Sequence, residues 1–193
     1  MLYKPQIIAL SGSIRKESVN KKLLELFCSD LEKNGAAVQR IDLAQYPMPL
    51  YNGDDEEGKG IPKEALKLFE LFVKCDGFLI ASPEYNSSIT PLLKNTIDWI
   101  SRPNQGSLEA YRGKSALLIS ASPGGMGGVR SLADTRLLLS NIYVHVFPDQ
   151  FTLSSAYDAF DAANRLKDGK KMQRISALSA EFVNFNRKIA KNN

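Results

Sequence analysis

Ile7-Ile8-Ala9-Leu10-Ser11-Gly12-Ser13-Ile14-Arg15-Lys16-Glu17-Ser18-Val19-Asn20 is the stretch whose reading decides the fold. Its first four residues form a continuous apolar run, and from Ser18 the pattern turns amphipathic, so a buried strand is expected to feed a helix through a polar turn. Such a turn is a ready anion site, because the unpaired N–H groups of the first helical turn converge there and the helix dipole favours negative charge. Gly12 permits close backbone approach. Ser11, Ser13 and Ser18 bring hydroxyls, Asn20 an amide, and Arg15 a planar fork matched to phosphate oxygens. Together they predict a site for a phosphate monoester; read alone, the same Ser and Gly residues also serve as an ordinary helix cap.

Outward from this turn the chain alternates. Leu23, Leu24, Phe27 and Leu31 recur at helical spacing before Asn34-Gly35 supplies a stop, and 37–43 alternates as a short strand near a sheet edge. The segment 44–60, with Pro47, Pro49, Gly53 and Gly58, is expected to hold no regular element and to be an active-site flank, a subunit contact or a surface connection. Pro62 opens a helix through Leu66, Phe69, Phe72 and Val73. Gly77-Phe78-Leu79-Ile80-Ala81-Ser82 then reads as a central parallel strand, buried on both faces. At its carboxyl end, Ser82-Pro83-Glu84-Tyr85-Asn86-Ser87-Ser88-Ile89-Thr90-Pro91 is a polar loop leading into an amphipathic helix. A fourth strand over 115–121 exits through Ser122-Pro123-Gly124-Gly125-Met126-Gly127-Gly128, whose glycines allow backbone to approach a flat ring. A helix over 129–139, a strand over 142–147 and a polar stretch over 148–171 follow. The last helix carries Ile175, Leu178, Phe182, Phe185 and Ile189 as a stripe for the sheet or another subunit.

Composition narrows the function classes. The 193 residues suit one domain, 1–193, and 44% hydrophobic with 24% charged residues is ordinary for a globular protein. No apolar run approaches a membrane span, and the opening residues lack a secretory signal, so a cytoplasmic protein with no membrane partner is expected. Two cysteines, Cys28 and Cys75, both inside apolar helical patterns and without a Cys-x-x-Cys pair, together with a single histidine, argue against zinc and thiol chemistry. His145 reads as structural, and Asp158, Asp161 and Asp168 lack the spacing of a calcium loop, so no metal is expected. The net charge of +4 comes from bases scattered among acids, without the basic block of a nucleic-acid binder. Neither Gly-x-Gly-x-x-Gly nor a complete Gly-x-x-x-x-Gly-Lys-Ser/Thr P-loop occurs, which weakens dinucleotide-fold and triphosphatase readings.

Five strand-like runs alternating with helices predict an α/β fold: a doubly wound, five-stranded parallel sheet with helices on both faces. In the flavodoxin-like order 2-1-3-4-5, the ligand crevice lies at the switch point between strands one and three, where FMN binds. The first polar loop then suits a phosphate, and the loops after strands three and four suit a planar ring.

The chain resembles the NADPH-dependent FMN reductase family, which includes quinone, azo-dye and chromate reductases. The likeness rests on Gly12-Ser13-Ile14-Arg15 through Ser18 and Asn20, on Ser82-Pro83-Glu84-Tyr85-Asn86, on Leu93-Lys94-Asn95-Thr96-Ile97-Asp98-Trp99 and on Ser122-Pro123-Gly124-Gly125. It implies that Ser11, Ser13, Arg15, Ser18 and Asn20 hold the FMN phosphate. Pro83, Glu84, Tyr85 and Asn86 would line the isoalloxazine, and Ser122, Gly124 and Gly125 would close its other edge. Two departures stand out: Ser87-Ser88 where a glycine is common, and Thr90-Pro91 where Pro-Gly is common. The expected activity is ping-pong hydride transfer from NADPH or NADH through FMN to a quinone, azo compound, free flavin or metal oxyanion. The flavin carries the chemistry, without a catalytic side chain. A homodimer or homotetramer is implied as well. The competing readings are a flavodoxin-type electron carrier and a non-catalytic FMN-binding protein.

Overall fold

The apolar runs form one all-parallel sheet of β1 (Gln6–Ser11), β2 (Ala37–Ile41), β3 (Gly77–Ala81), β4 (Ser115–Ala121) and β5 (His145–Leu153), in the order β2-β1-β3-β4-β5. The computed structural model describes residues 2–190. Between and after the strands come α1 (Val19–Lys33), α2 (Gly53–Lys59), α3 (Lys63–Lys74), α4 (Pro91–Ile100), the single turn α5 (Pro103–Gly106), α6 (Val129–Asn141) and α7 (Gly169–Ile189). The doubly wound flavodoxin-like fold expected from the sequence is the fold observed.

Side chains alternate across a strand, so each strand feeds two cores. Ile7 and Ala9 of β1, Leu79 of β3 and Leu117 and Ile119 of β4 meet Leu23, Phe27 and Leu31 of α1 and Leu178 and Phe182 of α7 on one face. Ile8, Leu10, Phe78, Ile80 and Leu118 meet Leu68 and Phe72 of α3, Leu93 and Ile97 of α4, and Leu132 of α6 on the other. Each fully buried Leu or Phe contributes about 1.5–3 kcal/mol. Ile175, Leu178, Phe182 and Phe185 of the α7 stripe therefore pack within the chain in the core shared with α1 and the sheet, and Ile189 stands outside that cluster.

Three expectations need correction. β5 starts at His145 and runs on to Leu153, well past Phe147. Ala116 pairs with Val146 but Leu118 pairs with Gln150, so Phe147, Pro148 and Asp149 stand opposite Leu117 in a bulge. β5 is an edge strand, where proline costs no ladder bond, so Pro148 does not end it. Secondly, 44–60 is not without regular structure, since α2 occupies Gly53–Lys59. The Asn52 side chain caps it by accepting from Asp54 N at 3.0 Å, and Asp54, Asp55 and Glu56 complement the dipole in the first turn. The segment rests on α4: Trp99 Nε1 and Asn95 Nδ2 donate to Pro49 O at 2.8 and 2.9 Å, and Tyr51 N donates to Asn95 Oδ1 at 2.8 Å. Thirdly, Cys75 follows α3 as its C-terminal cap rather than lying inside it. Burial pushes both the Cys28 and Cys75 thiols up to about 12, which leaves them protonated and unreactive.

Among the described residues, no helix is long and apolar enough to cross a membrane, and no group of three or more His, Cys, Asp or Glu could hold a metal ion.

The crossover from β1 is locked by one side chain. Asn20, 3% exposed, donates through Nδ2 to Ala121 O at 2.8 Å and accepts from Ala121 N at 2.9 Å, tying the start of α1 to the end of β4. Asn20→Ala removes both bonds and leaves a buried N–H and C=O without partners. The expected loss is about 2–4 kcal/mol, read as a lower urea midpoint at unchanged m-value.

Candidate functional site

The carboxyl ends of β1, β3, β4 and β5 converge on one crevice. Its wall is built by Ser13, Arg15, Ser18 and Asn20 from the first turn, by Pro83, Glu84 and Tyr85 from the loop after β3, by Ser122 and Pro123 after β4, and by Tyr157 after β5. The tertiary structure thus brings together three sequence stretches roughly seventy and forty residues apart, as the switch-point rule requires. Four residues singled out from the sequence, Ser11, Asn86, Gly124 and Gly125, do not line this wall. Ser11 closes β1 beneath it, Asn86 sits at the tip of the second loop, and Gly124 and Gly125 lie one turn beyond Ser122.

The first turn leaves several hydrogen-bond donors without partners among the described residues. Ser18 caps α1, its hydroxyl accepting from Lys21 N at 3.4 Å, and no acidic residue occupies the first helical turn. Among the described residues the N–H groups of Val19 and Asn20 have no partner, as the geometry of a helix start requires. Among the described residues the Ser11 hydroxyl is buried without a hydrogen-bond partner, a costly state for a polar atom unless a ligand completes it. Arg15 is exposed at the mouth, its guanidinium unpaired among the described residues. Ser13 Oγ is partly used, accepting from Arg15 N at 3.3 Å. Asn20 lines the wall, but its amide oxygen and one amide hydrogen are engaged with Ala121, so its side chain mainly holds the wall in place.

Gly12 has a different job from the one its sequence context implies. A Cβ there would lie 2.9 Å from Thr90 Oγ1 and 3.1 Å from both Leu93 Cβ and Pro83 Cδ. Glycine is required because the start of α4 and the loop after β3 press against this backbone. Thr90 Oγ1 donates to Gly12 O at 2.8 Å and accepts from Leu93 N at 3.2 Å, capping α4 while tying the first two loops together.

The second loop is held from behind by hydroxyls and a carboxylate. Ser82 O accepts from Ser120 Oγ at 2.7 Å and Ser131 Oγ at 2.8 Å, and Thr135 Oγ1 lies 3.1 Å from Ser82 Oγ. Helix α6 starts after Gly128, which has no capping side chain, and Glu84 supplies the cap from across the crevice. The Glu84 carboxylate accepts from Arg130 N at 3.0 Å and Ser131 N at 3.4 Å, and pairs with the Arg130 guanidinium at 3.3 Å. Glu84 thus lines the crevice while its charge is spent on the α6 dipole. Tyr85 and Ser88 exchange backbone hydrogen bonds of 3.0 and 3.1 Å around a tight turn, in which Asn86 has φ 49° and Ser87 φ 67°. Positive φ at both central positions makes it a type I′ turn, the turn for which Asn-Gly is preferred. That explains why a serine at 87 is a departure with a cost. The N–H groups of Glu84 and Asn86 have no partner among the described residues, and the ideal Cβ position of Gly125 opens onto free space.

Tyr157, Val19 and Pro123 are wall residues that sequence reasoning did not select. Tyr157 was hidden by the early end assigned to β5. The alternation Gln150-Phe151-Thr152-Leu153, with Phe151 and Leu153 buried, is the signal that places the strand end, and hence the crevice loop, six residues later.

Comparison with known proteins is consistent with this geometry. A family model described as NADPH-dependent FMN reductase matches residues 5–158. The chain is 34% identical over 171 residues to an NAD(P)H-dependent FMN reductase of Pseudomonas aeruginosa, covering 88% of this chain and 89% of that protein. It is 33% identical over 186 residues to an NADPH:quinone oxidoreductase of Arabidopsis thaliana, covering 93% and 91%. Among solved structures, a flavoenzyme NAD(P)H:(acceptor) oxidoreductase from Paracoccus denitrificans superposes with a TM-score of 0.80 at 25% identity, covering 95% of this chain and 98% of that one.

A glycine at position 87 removes the left-handed strain of the serine, so Ser87→Gly is expected to stabilise the protein by about 0.5–1 kcal/mol. A thermal unfolding midpoint that stays level or falls contradicts the type I′ account of this loop.

Proposed function

The chain belongs to the NADPH-dependent FMN reductase family, and from that premise we propose that it passes reducing equivalents from NAD(P)H through FMN, bound in the four-loop crevice, to a planar quinone-type acceptor. The donor set fits the cofactor. Ser11, Ser13, Arg15 and Ser18, with the N–H groups of Val19 and Asn20, are the residues we assign to its phosphate. Pro83, Tyr85, Ser122, Gly124 and Gly125 are assigned to its ring, and the unpaired N–H groups of Glu84 and Asn86 are donors for the ring's acceptor atoms. Asn20 and Glu84 act at one remove, holding α1 and α6 so that these donors keep their places. When bound, FMN supplies hydride acceptance and donation, so no side chain needs to act as nucleophile or general base.

The observation that favours a quinone is the rim. Ile14 at 53% exposed, Tyr85 at 49%, Met126 at 55% and Tyr157 at 61% stand on the four loops that bound the crevice, one on each. Large apolar side chains left in water on four separate loops mark a surface for a flat apolar partner. With Arg15 assigned to the flavin phosphate and Arg130 committed to Glu84, no other cation lines the crevice among the described residues, which disfavours a metal oxyanion as the preferred acceptor. For the expected homo-oligomer, the apolar surface of Ile89, Pro91, Leu137 and Leu138 beside the second loop is the face we assign to a second copy.

Two measurements test this reading. Steady-state oxidation of NADPH by the FMN-loaded protein is expected to give parallel double-reciprocal lines, with kcat/KM for benzoquinone at least about tenfold above that for chromate; the reverse order removes the argument from the rim. Arg15→Ala is expected to weaken FMN binding by about 1.5–3 kcal/mol, the usual worth of a hydrogen bond to a charged group. An unchanged affinity in a titration of apoprotein with FMN places the phosphate elsewhere.

A further inference from the structure

A second groove opens off the crevice and shares its residues Arg15, Glu17, Val19 and Tyr157. It runs between the start of α1 and the segment that follows β5. Its floor is apolar: Ala156 is buried in the core, and Val19 and Phe160 pack against the same core with part of each side chain exposed. Its α1 side carries Arg15 and Lys22. Among the described residues Lys22 is held only by Glu17, at 3.4 Å, and the Glu17 side chain is 82% exposed, so this pair is weak and easily exchanged for another anion. The far side is stiff. Ser155 N donates to Gly124 O at 3.3 Å and Ala156 N to Ser122 O at 3.0 Å, so this wall is tied to the loop after β4. Phe160 bridges to Leu166, and the Asp161 carboxylate accepts from Ala163 N, Arg165 N and Arg165 Nε, each at 2.9 Å. The Asp161 charge is thereby consumed by its own loop, and the groups left along the groove include the aromatic rings of Tyr157 and Phe160 and the cations of Arg15 and Lys22.

We propose that this groove binds the adenosine half of the NAD(P)H co-substrate, the purine lying on Val19, Phe160 and Tyr157 and the phosphates meeting Lys22. The inference rests on the reading of the crevice as the flavin site. Three features carry it. The groove is continuous with the crevice, so one extended dinucleotide can reach both. Its floor offers the aromatic surface that a purine stacks on, with Tyr157 at the junction of the two. Its one lightly held cation outside the flavin's own phosphate site lies on the rim, where a phosphate ester would sit.

The test separates the two halves of the dinucleotide on the FMN-loaded protein. Calorimetric titration with ADP-ribose, which contains the adenosine half and no nicotinamide, is expected to show binding that Lys22→Ala and Phe160→Ala each weaken about tenfold. The same variants are expected to raise KM for NADPH by a similar factor while changing KM for reduced nicotinamide mononucleotide by less than twofold, because that truncated donor never enters the groove. Lys22 is half-buried but lies outside both cores, so its variant keeps the test decisive even if Phe160→Ala loosens the core. Unaltered ADP-ribose binding, or equal rises in KM for NADPH and the mononucleotide, overturns the groove assignment while leaving the flavin reading intact. Failure of both donors to bleach the bound flavin overturns the flavin reading and the groove assignment with it.

Discussion

The amide of Asn20 is the pin on which the site depends. α1 leaves β1, passes over β3 and is fastened at its first turn to the last residue of β4 by two buried hydrogen bonds. A parallel sheet separates the ends of β1 and β4 by a whole strand, so without this bridge the turn after β1 and the loop after β4 would be free to drift apart. With it, three loops from distant parts of the sequence share one crevice. The side chain that the sequence marked as a ligand donor thus does its work mostly by positioning backbone donors beside it.

The second loop follows the same logic from the opposite face. Ser120, Ser131 and Thr135 direct hydroxyls at Ser82, and Glu84 caps the otherwise uncapped α6. Buried hydroxyls aimed at one residue, together with a charge-assisted cap, fix the loop's rear and leave the N–H groups of Glu84 and Asn86 unpaired among the described residues. Thr90 then joins this loop to Gly12. The tight contacts at Gly12 show that its glycine serves loop-to-loop packing.

Much of the fold was legible in sequence because periodicity reports burial directly. Gly77–Ala81 and Ser115–Ala121 are buried at every position, and continuous apolar runs of that length leave little choice beyond central parallel strands. The ends were harder. Pro148 reads as a terminator unless the strand is known to lie at a sheet edge with a bulge, and Gly53 and Gly58 read as breakers unless Asn52 and Arg102 are known to cap and anchor α2. Both facts are relations between distant segments. Tyr157 escaped notice for the same reason, since its place at the crevice follows from where β5 stops.

What the sequence by itself determined was the order of elements, the two-sided burial of the sheet and the polar loops at the carboxyl ends of its strands. Those properties are local or periodic, and a one-dimensional pattern records them. Only the tertiary structure decided which of those residues keep free hydrogen-bonding groups. Asn20 and Glu84 spend theirs on Ala121 and on α6, whereas Arg15 and the Ser11 hydroxyl have none spent within the described residues. A polar side chain has a limited number of donors and acceptors, and whether the fold consumes them or leaves them for a ligand depends on neighbours a hundred residues away.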